Sequence, residues 1–314
     1  MAVMLGHEAP WREWRQAMAG HRMHHAWILS GPQGVGKASF ALAAAAELVA
    51  EEGVPQPEPE AHPDILIPEH PPATKEDEKK REAGQPFNRK RAITVSEIRE
   101  MQRRLNTRPT LGRRRVVILD PADDLEKSAV NALLKSLEEP PEGTYFLLVA
   151  HRIGRLLPTI RSRCRILRFA PLPDAQVNLV LSRAAPNSDE ATRAAAIVAA
   201  QGSPGVALEF VEEDLAPVHQ LMQRLLAEGD AGFRLRGALS AELGARPSRE
   251  RVAATFELAR AVLAGALRGA DQARQARLIE AHSAVARLGS EAPQFNYDAA
   301  MLAMELGGLI AAAH

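Results

Sequence analysis

The sequence predicts a doubly wound α/β domain with a parallel sheet, followed by a small helical domain and a C-terminal all-helical domain. Three observations support this prediction. A glycine-rich stretch at residues 31–38 lies between an apolar run and a helix-prone run. Continuous apolar runs at 115–119 and 145–149 alternate with helical patterns, which is typical of strands buried on both faces of a parallel sheet. From residue 173 onward, the apolar spacing is helical almost throughout.

The domain boundaries follow from where these patterns change. We expect the α/β domain over residues 1–170, the small helical domain over 171–210 and the all-helical domain over 211–314. Within the first domain, residues 71–91 carry dense charge and almost no apolar side chains. Such a composition cannot bury a core and predicts a mobile charged loop.

Composition limits the classes of function. Lysine plus arginine equals aspartate plus glutamate at 39 each, so no global charge draws the chain to nucleic acid or to an acidic membrane, and any DNA contact must come from a local patch. Cys164 is the single cysteine, which excludes internal disulfides and cysteine-cluster metal sites. Because residues 1–10 lack a signal-peptide pattern and no apolar stretch is long enough to span a bilayer, we expect a cytoplasmic protein with no membrane partner.

The glycine-rich stretch matches the P-loop pattern G-x-x-x-x-G-K-[ST] except at its last position. Gly31, Gly34 and Gly36 allow a backbone path whose amides face an anion. Lys37 would reach the outer phosphates, but Ala38 stands where a serine or threonine hydroxyl would bind Mg²⁺. We therefore expect a degenerate phosphate cradle, at which binding of ATP or ADP is doubtful.

A second metal contact of a P-loop ATPase would come from the acid that ends the next buried strand, and Asp120 occupies that place after residues 115–119. Pro121 follows it and cannot polarise a water molecule. Ser39 and Asp123 could serve as irregular replacements for the missing hydroxyl and acid. An active ATPase is therefore an alternative at this point.

The predicted helix at 94–106 carries basic residues along one face. Arg99, Arg103 and Arg104 lie on its outer face, where they could meet DNA phosphates or could simply be solvated. The spacing alone favours a solvated face.

The tripeptide Ser162-Arg163-Cys164 leads into a predicted strand at 164–169. A guanidinium suits the spread charge of a phosphoryl group in transfer, and one supplied by a neighbouring subunit acts as an arginine finger. Periodicity alone favours an ordinary basic strand surface at this place.

Six segments over about residues 10–210 carry a resemblance to a known family. They are HHAWILSGPQGVGKASFALA, HPD at 62–64, ITVSEIR at 93–99, VVILDPADDLEKSAVNALLKSLEEPP, RLLPTIRSRCR and GSPGVAL. The chain resembles the clamp-loader subunits of bacterial DNA polymerase III, which are AAA+ proteins. The combination of LLKSLEEPP with Ser-Arg-Cys is specific to clamp loaders, whereas the residues beyond 210 match only in size and helicity.

The resemblance implies an AAA+ P-loop module, a small lid domain and a C-terminal collar domain that joins a heteropentamer. The partners would be delta and the tau/gamma ATPase motors, with the sliding clamp and primed DNA reached through the complex. Pro121 replaces the glutamate of hydrolysing relatives, and Gly205 replaces a nucleotide-sensing arginine. The resemblance implies a ring member that does not hydrolyse ATP, and these departures together with Ala38 agree with that role. Arg163 matches the family's residue that acts as a finger in trans.

Two alternatives and one further departure accompany this interpretation. The chain could be an active ATPase, or it could bind nucleotide or phosphate only as structural support. Many relatives carry a four-cysteine zinc module after the P-loop helix, whereas this chain has the charged segment at 71–91. We expect no zinc, no other bound metal and no required cofactor.

Overall fold

The computed structural model describes residues 6–20, 23–90, 92–295 and 297–314. Its contacts divide the chain into two compact units, Met1–Pro171 and Leu172–His314. The boundary predicted at residue 170 lies beside this division, and the one predicted at 210 lies inside the second unit. The division of the helical part into a lid and a collar stays a prediction.

The first unit is built on a parallel sheet. In the part of the chain described, its strands are β1 (Ala26–Ser30), β2 (Ile65–Leu66), β3 (Arg115–Leu119), β4 (Thr144–Ala150) and β5 (Arg165–Arg168). They lie in the order β2-β3-β4-β1-β5, and each neighbouring pair runs parallel. The parallel α/β sheet predicted from the apolar runs is confirmed.

Helices cover both faces of this sheet. They are α1 (Glu8–Ala19), α2 (Lys37–Val49), α3 (Lys75–Glu82), α4 (Val95–Leu105), α5 (Lys127–Glu138) and α6 (Pro158–Arg161). Trp27 and Leu29 of β1 pack in the core formed with α1 and α2. Ala26 and Ile28, which alternate with them, pack in the core formed with α4 and α5. Parallel pairing brings the carboxyl ends of β1, β3 and β4 to one edge of the sheet.

A buried ion pair fixes the turn between α4 and β3. Asp64 accepts hydrogen bonds from the backbone N–H groups of Thr110, at 2.7 Å, and Leu111, at 2.8 Å. Its Oδ1 atom lies 3.4 Å from Nη2 of Arg115, and that guanidinium also donates to the carbonyl oxygen of Arg108 at 2.8 Å. The HPD segment therefore has a structural role, since its aspartate holds a turn that has no regular structure of its own.

Residues 71–91 depart from the prediction of a charged loop without regular structure, because they include α3. Thr74 caps this helix, and its hydroxyl oxygen accepts the N–H of Asp77 at 3.1 Å. Asp77 in turn accepts the N–H of Asn88 at 3.0 Å, which ties the end of the segment to the helix. The prediction is wrong over α3, since a cap and helix-prone charged residues hold a helix without an apolar stripe. Mobility of the segment stays a prediction, and Arg91 lies outside the described residues.

The second unit is helical throughout its described secondary structure. Its helices are α7 (Asp174–Ala184), α8 (Glu190–Ala200), α9 (Pro204–Glu212), α10 (Ala216–Glu228), α11 (Arg234–Leu243), α12 (Arg249–Ala266), α13 (Gln272–Phe295) and α14 (Ala299–Ala311). They share one hydrophobic core, in which Phe210, Met222 and Leu239 are almost fully buried. Across both units, the described ranges contain no helix with the length and hydropathy needed to span a membrane.

Candidate functional site

The P-loop stretch joins β1 to α2 at the carboxyl edge of the sheet. Gly34 and Gly36 have φ angles of 72° and 107°, in the region that favours glycine, and Gly36 caps the start of α2. Gly31 is required for a different reason: a Cβ atom there would lie 2.4 Å from the carbonyl oxygen of Phe169, just beyond β5. The first glycine of the motif therefore permits close packing of two backbone segments.

Lys37, the first residue of α2, is only 3% exposed. Its ammonium donates hydrogen bonds to the carbonyl oxygens of Gly31, at 2.8 Å, and Pro32. Burial lowers the pKa of the amine to about 8, although the nearby carboxylates of Asp120 and Asp123 oppose this shift. The amine is thus tied to the backbone of its own loop and must leave these acceptors to reach a phosphate.

The side chains beside the loop do not fit the Mg²⁺ site of a hydrolysing P-loop. Ala38 ends in a methyl group and has no side-chain oxygen to ligate a cation. Asp120 follows β3, and burial raises the pKa of its carboxyl group, with the Lys37 ammonium opposing the rise and Asp123 adding to it. Among the residues described, no group of three or more His, Cys, Asp or Glu side chains could hold a metal ion. Of the two side-chain ligands that a hydrolysing P-loop offers to Mg²⁺, the carboxylate has a counterpart in Asp120 and the hydroxyl has none at residue 38.

Asp123, considered from the sequence as an irregular catalytic acid, binds the backbone at the end of β4. Its Oδ1 atom accepts the N–H of His151 at 3.0 Å, and its Oδ2 atom accepts the N–H of Arg152 at 3.1 Å. A 3₁₀ turn at Ala122–Asp124 presents the side chain to this strand end. Sequence reasoning missed this contact, because 28 residues separate the partners and no local pattern links them.

His151 lies at the same edge of the sheet, and its ring is half-buried. Burial lowers the pKa of the ring, repulsion by the Lys37 ammonium adds to the shift, and the Asp123 carboxylate opposes it. Burial and the Lys37 ammonium therefore both favour the neutral imidazole. Its Nδ1 atom is buried and has no hydrogen-bond partner within the described ranges.

The Ser-Arg-Cys tripeptide, residues 162–164, lies between α6 and β5. The Nη2 atom of Arg163 is 2.6 Å from Oε1 of Glu138, the last residue of α5. Its Nη1 atom donates to the carbonyl oxygen of Thr159 at 2.9 Å and to the hydroxyl of Ser162 at 3.3 Å. About a third of the Arg163 side chain, 34%, is exposed. The guanidinium is therefore held by its own chain while part of it faces solvent.

Cys164 and Arg165, which follow Arg163 in the chain, lie in different environments from it. Cys164 packs against the core that contains Leu137 and Ile160, and burial raises the pKa of its thiol to about 12. This thiol stays protonated at neutral pH and is a packing group. Arg165 is exposed, and its guanidinium carbon lies 5.0 Å from the centre of the Trp27 ring.

The arginines of α4 that the sequence offered as DNA contacts are all exposed. Arg103 pairs with Glu100 on the same helix, and Arg104 donates to the carbonyl oxygen of Pro63 at 3.0 Å. Arg99 has no ion pair or side-chain hydrogen bond within the part of the chain described. Contact of this face with DNA stays a prediction.

Comparison with known proteins assigns the chain to a family. The family model described as "DNA polymerase III, delta subunit" matches residues 6–173. The DNA polymerase III subunit delta' of Pseudomonas aeruginosa is 33% identical over 238 residues, which cover 70% of this chain and 67% of that protein. The chain belongs to the delta-prime family of DNA polymerase III subunits. The clamp-loader resemblance drawn from the P-loop and Ser-Arg-Cys segments is confirmed at the level of family.

Other curated relatives match shorter parts of their own length. The delta-prime protein of Escherichia coli K12 is 39% identical over 142 residues, or 45% of this chain and 42% of that protein. A gamma/tau subunit of Mycobacterium tuberculosis is 31% identical over 226 residues, or 68% of this chain and 37% of that protein. Among solved structures, a gamma subunit-related protein of Thermotoga maritima gives a TM-score of 0.49 at 18% identity, covering 96% of this chain and 98% of that one.

Proposed function

We propose that this chain is a non-catalytic clamp-loader subunit that supplies Arg163 to nucleotide bound by a neighbouring ATPase subunit. In this function it stabilises a heteropentamer with delta and the tau/gamma motors, in the cytoplasm. The assembled complex loads the sliding clamp on primed DNA. The chain's own P-loop would then keep its place in the fold without hydrolysing ATP or requiring a cofactor.

The main support for a non-catalytic role is the pair of backbone hydrogen bonds that Asp123 accepts. Both oxygens of this carboxylate accept N–H groups at the end of β4, so the best candidate for a replacement acid is committed to structure. Pro121 and Ala38 offer neither an acid nor a hydroxyl nearby. A P-loop without its metal ligand and its water-positioning acid loses the parts that phosphoryl transfer needs.

The surroundings of Arg163 support its action on a second subunit. Within the described ranges its guanidinium donates no hydrogen bond to the P-loop residues 31–37, and its partners are Glu138, Thr159 and Ser162. A partly exposed guanidinium beside a strand end can reach a phosphate on another chain. Delocalised charge and a planar fork of donors suit it to the equatorial oxygens of a transferring phosphoryl group.

Structural binding of phosphate or nucleotide at the chain's own P-loop is a second candidate, and it is compatible with the first. The backbone of Gly34 and Gly36 and the position of Lys37 at the start of α2 favour it. Lys37 would exchange its two carbonyl acceptors for phosphate oxygens. Equilibrium binding of ADP to the purified chain, compared with the Lys37→Ala variant, tests this candidate.

ATP hydrolysis by the isolated chain and by the reconstituted complex tests the main proposal. We expect no turnover by the isolated chain, and we expect Arg163→Ala to lower DNA-stimulated hydrolysis by the complex without disrupting its assembly. Removal of one donor to the transition state commonly costs about 10²-fold or more at the site concerned. Arg161→Ala is a matched control, because Arg161 is exposed and forms no ion pair in the described chain.

Two results would contradict the proposal. Turnover by the isolated chain that disappears in Lys37→Ala would identify an active ATPase. Unchanged hydrolysis by a complex that contains Arg163→Ala would remove the finger assignment.

A further inference from the structure

Glu138 is the acidic residue that pairs with Arg163 in the described part of the chain. It ends α5, and its Oε1 atom lies 2.6 Å from Nη2 of Arg163. The other terminal nitrogen of the guanidinium is engaged by the carbonyl oxygen of Thr159 and by the hydroxyl of Ser162. The guanidinium is therefore held on two sides, by the last residue of α5 and by α6 with the residue that follows it.

These contacts leave some N–H groups of the Arg163 guanidinium available to bind a phosphate. An arginine carries five N–H groups in a planar fork. The contacts with Glu138, Thr159 and Ser162 all involve Nη1 or Nη2, and Nε makes no hydrogen bond within the described residues. A phosphate can therefore bind Nε–H and a remaining Nη–H while the contact with Glu138 persists.

We propose that Glu138 is a positioning residue, which holds the Arg163 guanidinium in the orientation from which its remaining N–H groups reach the nucleotide of the neighbouring subunit. This inference rests on the proposed function of Arg163 as a finger in trans. A free arginine side chain samples many rotamers, and fixing it during the reaction lowers the rate. Glu138 fixes it beforehand, since the pair already exists in the separate chain.

Exposure to solvent limits how much the Glu138 carboxylate can contribute to the rate of hydrolysis. Glu138 is half-exposed, and exposed ion pairs contribute little because water and salt screen them. We therefore expect loss of this carboxylate to lower the rate by about two- to fivefold, the range that such pairs reach. Loss of Arg163 itself removes a group that touches the reacting phosphate, so its effect is larger.

The experiment measures DNA-stimulated ATP hydrolysis by the reconstituted heteropentamer with Glu138→Ala, Glu138→Gln or Glu139→Ala in this subunit. We expect Glu138→Ala to lower kcat about two- to fivefold and leave KM for ATP unchanged, because the nucleotide is bound by the other subunit. Glu138→Gln retains an oxygen that accepts the hydrogen bond and restores part of the rate. Glu139→Ala removes the same charge one residue away, where no ion pair forms within the described residues, and leaves kcat unchanged.

A double-mutant cycle shows whether Glu138 acts through Arg163. If it does, the variant with both Glu138→Ala and Arg163→Ala hydrolyses ATP no more slowly than Arg163→Ala alone. A further decrease in the double variant would overturn the inference, as would a higher rate in Glu138→Ala, which would make the carboxylate a competitor of phosphate. An unchanged rate in Glu138→Ala beside a lowered one in Arg163→Ala overturns this inference alone. An unchanged rate in Arg163→Ala overturns the proposed function as well.

Discussion

Asp64 and Arg115 form an ion pair from which water is almost excluded. Their side chains are 0% and 5% exposed, and Oδ1 of the aspartate lies 3.4 Å from Nη2 of the arginine. Each also binds backbone groups of the turn between α4 and β3. The pair therefore couples an inner strand of the sheet to a segment that has no regular structure of its own.

Removal of Asp64 is expected to destabilise the first unit strongly. Asp64→Ala leaves the buried Arg115 charge without its counter-ion and frees two N–H groups, so we expect the free energy of unfolding to fall by about 3–5 kcal/mol. Urea unfolding followed by tryptophan fluorescence measures this, because all three tryptophans lie at residues 11–27 of this unit. Glu60→Ala, which removes an exposed acid nearby, is the control and should change stability little. Equal effects of the two substitutions would contradict the structural role of the pair.

Asp123 is expected to matter for stability and not for hydrolysis. Asp123→Ala leaves the N–H groups of His151 and Arg152 without their acceptor, and we expect a loss of about 1–2 kcal/mol in the free energy of unfolding of this unit. Assembled complexes that contain the variant should hydrolyse ATP at the normal rate. A normal stability combined with a large loss of hydrolysis would instead assign the carboxylate to catalysis.

Lys37 is expected to make stability rise with pH in the alkaline range. Its pKa is lowered from 10.5 to about 8 in the folded chain. Between these values the unfolded chain binds more protons than the folded one, so the free energy of unfolding increases as pH rises from about 8 toward 10.5. The difference in stability between the natural chain and Lys37→Met, measured by urea unfolding from pH 7 to pH 10.5, isolates this contribution. A difference that stays constant with pH would show that the amine is not desolvated.

Cys164 is expected to react slowly with alkylating reagents. The raised pKa leaves little thiolate at pH 8, and we expect labelling of the folded chain to be about 10²–10³-fold slower than labelling after unfolding in guanidinium chloride. Because Cys164 is the single cysteine, the mass shift of the whole protein reports this residue alone. Similar rates before and after unfolding would contradict the burial of the thiol.

The apolar runs in the sequence were sufficient to predict β1, β3 and β4 and the parallel character of the sheet, whereas β5 was predicted from alternation and the two-residue β2 was not predicted. Strands such as 115–119 are buried on both faces, and a continuous apolar run is the direct result of that burial. Helix α3 was missed because it lacks the apolar pattern on which such predictions rest. Its residues KEDEKKRE carry no apolar stripe, and its stability comes from the Thr74 cap and from the bond between Asp77 and Asn88.

The candidate site shows the same division between local and distant contacts. The position of Lys37 at the start of α2 follows from the motif itself, because the loop and helix are consecutive in the chain. The contacts of Asp123 with the end of β4, and of Glu138 with Arg163, join residues 25 or more positions apart. Such contacts depend on strand order and on side-chain rotamers, which spacing in a single sequence does not reveal.

Gly31 touches the backbone of Phe169 at the end of β5, and the other end of that strand begins two residues after Arg163. The four residues of β5 therefore connect the segment packed against the P-loop to the segment that carries Arg163. Ala38 and Pro121 lie outside β5, so this connection does not depend on them. A side chain at residue 31 would clash with the carbonyl oxygen of Phe169 and force the backbone beyond β5 away from the P-loop. Under the proposed role of Arg163, Gly31 is needed for a site in another subunit, whether or not its own loop takes part in hydrolysis.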